Sequence, residues 1–217
     1  MRLQKIAEMV KNPNAVDVGT DHGLLAVLLA ARGVAVLATD VNPGPLRHAK
    51  ENIKRHGVAN LVKTQLCDGL EGIPPQTAST CVIAGMGGHL IIHILRQNLP
   101  TALSFSQILL SPQRDVPELR KFLHTNGFVI NNEEILEENG KFYNILDCAA
   151  EEGEAYDEKD YIFGKILPIS NSEVFIRFLR AEVIKTRKII DKIEAKSRRK
   201  SELEKYLQHC NSLNTEV

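Results

Sequence analysis

Three carboxylates stand where the ends of successive β-rich runs would place them: Asp17 in Val16-Asp17-Val18-Gly19-Thr20-Asp21-His22-Gly23, Asp40 before Val41, and Asp68 in Leu66-Cys67-Asp68-Gly69. The first segment reads as strand, turn and helix, and open α/β sheets bind ligands at the carboxyl ends of their strands. A dinucleotide site there wants Gly-x-Gly-x-x-Gly, so that backbone can approach a pyrophosphate at a helix N-terminus. The frame that begins at Gly19 instead puts Asp21 and Leu24 where the later glycines belong. A carboxylate at that point repels a pyrophosphate. S-adenosylmethionine has no phosphate and carries an ammonium and a sulfonium, so the local charge favours it over a nicotinamide dinucleotide. Asp17 is then the expected partner of the methionine end, with Gly19 leaving room for it. Asp40, beside Val41, can accept the ribose hydroxyls, and Asp68, beside Gly69, the adenine amine. Each of these aspartates can also be an ordinary turn former or helix cap.

A second cluster, Ile83-Ala84-Gly85-Met86-Gly87-Gly88-His89, follows the fourth β-rich run, where a methyl donor and its acceptor would meet. The polar-Pro-Pro-aromatic stretch that often holds exocyclic amines is missing. Glycines instead let backbone approach a flat base, and Met86 can cover its face with a polarizable thioether. Ala84, Gly85 and Met86 would border the cofactor, and Gly88 the base. The alternative is a glycine-rich turn feeding a helix. Gln113 in Ser111-Pro112-Gln113 can reach a base edge or merely end a strand. His89 and His93 are one helical turn apart without a third ligand, and the four cysteines are scattered with no Cys-x-x-Cys pair. No metal and no disulfide framework are expected.

These residues need a scaffold, and alternating β-branched runs and helix-period segments supply one over the first 150 or so residues: an α/β fold with a mostly parallel sheet. A first helix carries Leu3, Ile6, Ala7 and Val10, and a strand follows that ends at Asp17-Val18-Gly19. The spacing predicts a helix from His22 to Arg32, a strand over Val34 to Asp40, and a helix capped by Asn42 with Pro43 in its first turn. Further strands are expected at Leu61 to Leu66, Cys81 to Ala84 and Ile108 to Leu110. Asp115 and Glu118 read as a capping box. Phe128 to Leu136 and Phe142 to Ala149 read as a hairpin turned at Asn139-Gly140. An acidic crossing, Glu151 to Asp160, leads to a helical region from Ser172 to about Gln208. There Ile176, Leu179, Val183, Thr186, Ile190 and Ile193 form a coiled-coil-like seam. Lys196-Ser197-Arg198-Arg199-Lys200 interrupts it, so two helices folded back on each other are expected rather than one long helix.

At 217 residues with 43% hydrophobic and 25% charged, the chain is ordinary for a globular protein, which excludes disordered and low-complexity classes. Its longest clean apolar run, Leu24 to Ala31, is too short to span a membrane. Met1-Arg2-Leu3-Gln4-Lys5 opens without a signal segment, so a cytoplasmic location is expected. The 27 basic and 27 acidic residues cancel, yet eleven acids and only two bases lie between 131 and 160. The rest is mildly basic, which permits a nucleic-acid partner. Arg32, Arg47, Lys50, Lys54, Arg55, Arg198, Arg199 and Lys200 are candidate phosphate contacts or plain surface charge.

The chain resembles the bacterial tRNA adenine-22 N1-methyltransferases in Asp17-Val18-Gly19-Thr20-Asp21-His22, in Ala84-Gly85-Met86-Gly87-Gly88 with His93-Ile94-Leu95, and in Gly44-Pro45 after Asp40. Asp68-Gly69-Leu70, Leu136-Glu137-Glu138-Asn139-Gly140-Lys141 and the C-terminal helices extend the match. It departs from that pattern at Ser111-Pro112-Gln113, where Gln-Pro-Asn is frequent, and at Gly23, where a larger residue is common. The resemblance implies a Rossmann-like class I methyltransferase sheet with helices on both faces over residues 1–155. It also implies a C-terminal helical hairpin over 156–217 that helps hold tRNA, no membrane partner, and methyl transfer to N1 of a D-arm adenine. Methylation makes that base cationic, so Asp21 is the candidate catalytic carboxylate, with His22 orienting it and Met86 and Gly87 at the reacting atoms; Asp21 and His22 are also candidate cofactor contacts, and the alternative is that both are structural residues of the helix start. Gly88, Gln113, Arg198 and Arg199 are the substrate contacts expected. A nicotinamide-dependent oxidoreductase, a small-molecule methyltransferase and a non-catalytic RNA-binding protein are the alternatives, and the oligomeric state is open between monomer and weak dimer.

Overall fold

A computed structural model describes residues 2–154, 156–170, 172–193 and 197–215. Elements follow in the order α1 (Arg2–Met9), β1 (Asn14–Val18), α2 (Leu24–Ala31), β2 (Ala35–Asp40), α3 (Pro43–Arg55), β3 (Val62–Leu66) and β4 (Thr80–Ala84). Next come α4 (Gly88–Gln97), α5 (Leu99–Ala102), β5 (Gln107–Ser111), α6 (Val116–Thr125), β6 (Val129–Glu138) and β7 (Lys141–Ala149). The chain closes with α7 (Glu158–Phe163), α8 (Ile166–Ser170), α9 (Glu173–Ile190) and α10 (Arg198–Thr215).

The seven strands form one sheet in the order β3-β2-β1-β4-β5-β7-β6, with β1 to β5 parallel and β7 antiparallel to both its neighbours. Helices cover both faces, which is why the central strands are apolar throughout rather than alternating. Ile83, Leu110, Ile91, Leu95 and Leu119 fill one side, and Ile6, Ala26, Leu29, Val36 and Ile53 the other. The strand order reverses between β1 and β4, so a crevice opens there at the carboxyl ends. Val18 pairs with Ile83, which sets the Gly19 turn beside the Ala84-Gly85 turn.

Local backbone explains where the elements depart from expectation. Helix α2 begins at Leu24, not His22, because Asp21 (φ 52°) and Gly23 (φ 72°) are left-handed and hold Asp21–Gly23 in a turn. Asp115 caps nothing: at φ 58° its side chain makes no cap bond and lies 3.5 Å from the Arg114 Nε. Asn42 precedes α3 without a side-chain cap, although Pro43 does open that helix. The hairpin turns at Asn139 and Gly140, both at positive φ, as a tight turn demands. Part of the acidic crossing is helical, since Asp157 and Asp160 form a reciprocal capping box at the start of α7.

The C-terminal helices fold back on each other, and the Tyr206 hydroxyl donates to Glu182 across them at 3.0 Å. The interruption lies ahead of the basic run: α9 ends at Ile190, Lys196 is outside the described residues, and Arg198, Arg199 and Lys200 form the first turn of α10. The buried stripe of α9 runs Phe175, Leu179, Val183 and Thr186, with Ile176, Ile190 and Ile193 only half-buried. The shift from Ile176 to Phe175 has a cause in the packing. This stripe meets Ile135 of β6, Phe163 and Leu167 as well as Cys210 and Leu213 of α10, so it faces the sheet hairpin and the partner helix together.

Candidate cofactor and acceptor site

Asp17 is the penultimate residue of β1 and only 3% exposed. The Thr20 hydroxyl donates to its Oδ2 at 2.6 Å, and no ion pair reaches it among the described residues. Burial pushes its carboxyl up to about 6, the Thr20 bond opposes the shift, and the Asp40 charge adds to it. An anion held this way is short of a cation. Asp40 at the end of β2 accepts from the backbone N–H of Asp21 at 3.1 Å on one oxygen and of Asn42 at 2.9 Å on the other. It therefore ties the turn after β1 to the turn after β2, and a ribose hydroxyl would have to share its oxygens. The left-handed Asp21 carries its own carboxylate outward, 3.7 Å from the His22 Nε2. Gly23 fits its place because a Cβ there would press to 3.0 Å on the Ala49 methyl.

The turns after β4 and β5 are joined by three backbone bonds: Gly85 N–H to the Ser111 carbonyl (3.2 Å), Gln113 N–H to Met86 (2.8 Å), and Gly88 N–H to Arg114 (2.9 Å). Gly88 is buried, and a Cβ on it would collide with the Asp115 carbonyl. Its surface is thus covered by backbone rather than open to a base. Met86 lies over Gly19, where a side chain would strike its terminal methyl. Ser111 is buried, while Gln113 is exposed.

One cavity of about 340 Å³ gathers Asp17, Gly19, Asp21, His22, Ala84, Gly85, Met86 and Gln113. Asp68 lines a separate space of about 290 Å³ with Glu71 and His93, and Gly69 packs its backbone on Ile94. At the carboxyl ends of the neighbouring strands β2 and β3, Val41 and Leu66 are exposed apolar residues, at 55% and 56%. Leu66 is a residue that sequence reading passes over as mere strand. A third space, about 610 Å³, lies against the helical arm and includes Arg114, Lys141, Phe142, Phe178, Lys185 and Tyr206. Gln113 lines both it and the Asp17 cavity. Arg198 and Arg199 are exposed, line neither space, and Arg198 meets Glu202 at 2.9 Å. Arg32, Arg47, Lys50, Lys54 and Arg55 are exposed on α3 and just after α2.

The donor set fits S-adenosylmethionine. The volume suits a ligand of that size, Gly19 provides a surface without a side chain, and the buried Asp17 asks for a positive group. A pyrophosphate would meet Asp21 and Asp17 instead of free amides. Among the described residues no three His, Cys, Asp or Glu are grouped to hold a metal ion, and all four cysteines are free. No helix of the described residues is long and apolar enough to cross a membrane.

The chain is similar to known proteins in sequence and in fold. The sequence profile described as tRNA (adenine(22)-N(1))-methyltransferase matches residues 15–212. The tRNA (adenine(22)-N(1))-methyltransferase of Bacillus subtilis (strain 168) is 30% identical over 200 residues, covering 88% of this chain and 84% of that protein. The crystal structure of Streptococcus pneumoniae Sp1610 in complex with S-adenosyl-L-methionine superposes with a TM-score of 0.89 at 30% identity, covering 98% of each chain. That of the B. subtilis m1A22 tRNA methyltransferase gives a TM-score of 0.86 at 26% identity, covering 98% of this chain and 97% of the other.

Proposed function

Because this chain belongs to the tRNA (adenine(22)-N(1))-methyltransferase family, we propose that it methylates N1 of adenine 22 in the D-arm of tRNA, using S-adenosylmethionine. The observation that carries this reading is the buried Asp17, which no cation of the described residues pairs, lining a cavity that also takes in the Gly85-Met86 turn. When bound, the cofactor supplies a methyl group made electrophilic by its sulfonium. Asp17 takes the ammonium of the methionine end, Asp40 the ribose hydroxyls, and Asp68 the adenine amine, with Val41 and Leu66 against the adenine faces. Asp21 at the helix start disfavours the nicotinamide alternative, since it would face the pyrophosphate.

The acceptor N1 lies on the Watson–Crick edge, so adenine 22 must leave any stack or pair before it can react. Met86 and Gly87 border its place, and Gln113 can hold its edge. As the new N–C bond forms, the electron pair of the C–S bond returns to sulfur and the adenine becomes cationic. The Asp21 carboxylate, exposed at the cavity mouth, stabilises that charge or accepts a proton from the exocyclic amine, and His22 orients it. Arg114, Lys141 and Lys185, with the aromatic rings beside them, suit an RNA strand entering from the helical arm. Arg198 and Arg199 extend the contact along the arm. The enzyme then works in the cytoplasm, where tRNA is, as a monomer or weak dimer.

The test is mass-spectrometric mapping of methyl groups on unmodified tRNA incubated with protein and S-adenosylmethionine. A single N1-methyladenosine at position 22 is expected. No methylation of folded tRNA, with cofactor bound, overturns the reading.

A further inference from the structure

The cavity that holds Asp17 and the space of about 610 Å³ against the helical arm share one residue of their walls, Gln113. Gln113 is exposed, and its backbone is fixed because its N–H donates to the Met86 carbonyl at 2.8 Å. An RNA strand that delivers adenine 22 to Met86 therefore has its next nucleotide within reach of the arm space. That space has the size of an ordinary small-ligand site, about 300–1,000 Å³.

Its walls combine what a base and a phosphate need. Phe142 and Phe178 meet edge to face with ring centres 5.5 Å apart, and both are only half-buried. Tyr206 stacks on the buried Phe163 at 5.6 Å and its hydroxyl is spent on Glu182, so its ring is held in place. Rings fixed by the protein's own packing and still partly open offer a stacking face to any base. Charge stands beside them. Lys185 answers Glu182 at 3.0 Å and Arg120 is spent on Glu133, which leaves Arg114 and Lys141 among the lining cations. Arg114 meets Asp115 at 3.5 Å, beyond ordinary hydrogen-bond length, and its side chain is 80% exposed. Its Nε lies 3.0 Å from the point where a side chain on Gly87 would begin, so the guanidinium stands between the place of adenine 22 and the arm space.

We propose that the arm space is a second nucleotide subsite: the base of one neighbour of adenine 22 leaves the stack with it and lies against Phe142, Phe178 and Tyr206, while Arg114 holds the phosphate between the two nucleotides. Two adjacent bases are then extruded for one methylation, and the second is the anchor that sets the first at Met86. The inference rests on the tRNA half of the function proposed for this chain and does not depend on the role of Asp21.

The experiment uses the full chain and three ligated tRNAs: intact, abasic at position 21 and abasic at position 23. The kcat/KM for methylation of adenine 22 is measured with wild type, Phe178→Leu and Arg114→Gln, and S-adenosylmethionine affinity is measured alongside to show that each variant is folded. Wild type should lose about 5- to 150-fold on one of the two abasic tRNAs, the range of a base–aromatic stack. Phe178→Leu should be slower on intact tRNA and should lose most of that penalty. A methylphosphonate at the shared linkage should cost wild type about 10- to 100-fold and cost Arg114→Gln little more than the substitution already does. Wild type indifferent to both abasic positions overturns the proposal. So does a penalty of equal size in wild type and Phe178→Leu, which would report damage to the RNA fold. If Phe178→Leu does not fold, the methylphosphonate decides, and losses that multiply in Arg114→Gln overturn the proposal. Absence of methylation on intact tRNA by wild type would overturn the proposed function itself, an outcome distinct from these.

Discussion

Asp17 and Glu133 are both buried carboxylates pushed toward the neutral form by burial, but their surroundings differ. Glu133 of β6 lies under the helical arm and takes the Arg120 Nε at 2.7 Å, with neither side chain more than 1% exposed. Arg120 also donates to the carbonyls of Tyr161 and Ile162 at 3.0 and 2.9 Å, so the pair fastens α6 and β6 to α7. Among the described residues the Asp17 carboxylate has only a threonine hydroxyl, and it lines a cavity. Burial by itself therefore does not mark a functional acid. The source of the compensating charge separates the two: at Glu133 the chain provides it, and at Asp17 no cation among the described residues does, which leaves that place for the ligand of the proposed function.

The sharpest way to break this contrast is to remove the internal cation. Arg120→Ala should destabilise the fold by about 3–5 kcal/mol, the usual consequence of leaving a buried charge unpaired. Urea denaturation would measure it, and a loss under about 1 kcal/mol would deny Arg120 its anchoring role. Asp17→Asn should act in the opposite direction on the unliganded protein. The folded carboxyl titrates near 6 against roughly 3.9 when unfolded, so the unfolded chain releases its proton first as pH rises. The cost of ionising Asp17 is absent below about pH 4 and complete above about pH 6. At neutral pH the substitution should thus raise apo stability by about 1–3 kcal/mol while weakening S-adenosylmethionine about 10- to 100-fold. Unchanged cofactor affinity would remove Asp17 from the site.

The same titration gives a smaller effect on the wild type. Cofactor affinity should fall toward tenfold per pH unit below about 6, as Asp17 takes up its proton, and this slope should vanish in Asp17→Asn. Isothermal titration at several pH values checks it. The smallest effect belongs to the arm that Glu133 helps anchor. Arg198→Ala with Arg199→Ala should leave cofactor binding unchanged and flatten the slope of log K for tRNA against log salt by about 0.7–0.9 for each phosphate no longer neutralised. An unaltered salt slope would make both plain surface charge.

Much of the scaffold could be read from the chain because its signals are local. The β-branched runs at β1, β2, β4 and β5, the Asn139-Gly140 turn and the Gly-Met-Gly-Gly cluster each occupy a few adjacent residues. The misplaced start of α2 traces to the left-handed Asp21 and Gly23, and at the left-handed Asp115 the helix begins where expected but the side-chain cap does not form. Phe175 displaces Ile176 in the arm because β6, distant in sequence, shares the packing. At the site, Asp17, Gly19, Asp21 and Met86 were legible from motif spacing, and the cavity brings them together. The arm space was not. Phe142, Phe178 and Tyr206 stand far apart in the chain, on one strand and two helices, and only the fold sets them about one space with Arg114.

The three backbone bonds between the turns after β4 and β5 have a consequence for how such a protein can diversify. Adding or deleting one residue in either turn would shift the register and break the Gly85, Gln113 and Gly88 bonds together, moving Met86 away from Gly19. The two turns are locked to a common length. Variation in what this crevice accepts must then come through exchange of exposed side chains such as Gln113 and Arg114, not through loop insertion, the route by which many other α/β enzymes acquire new substrates.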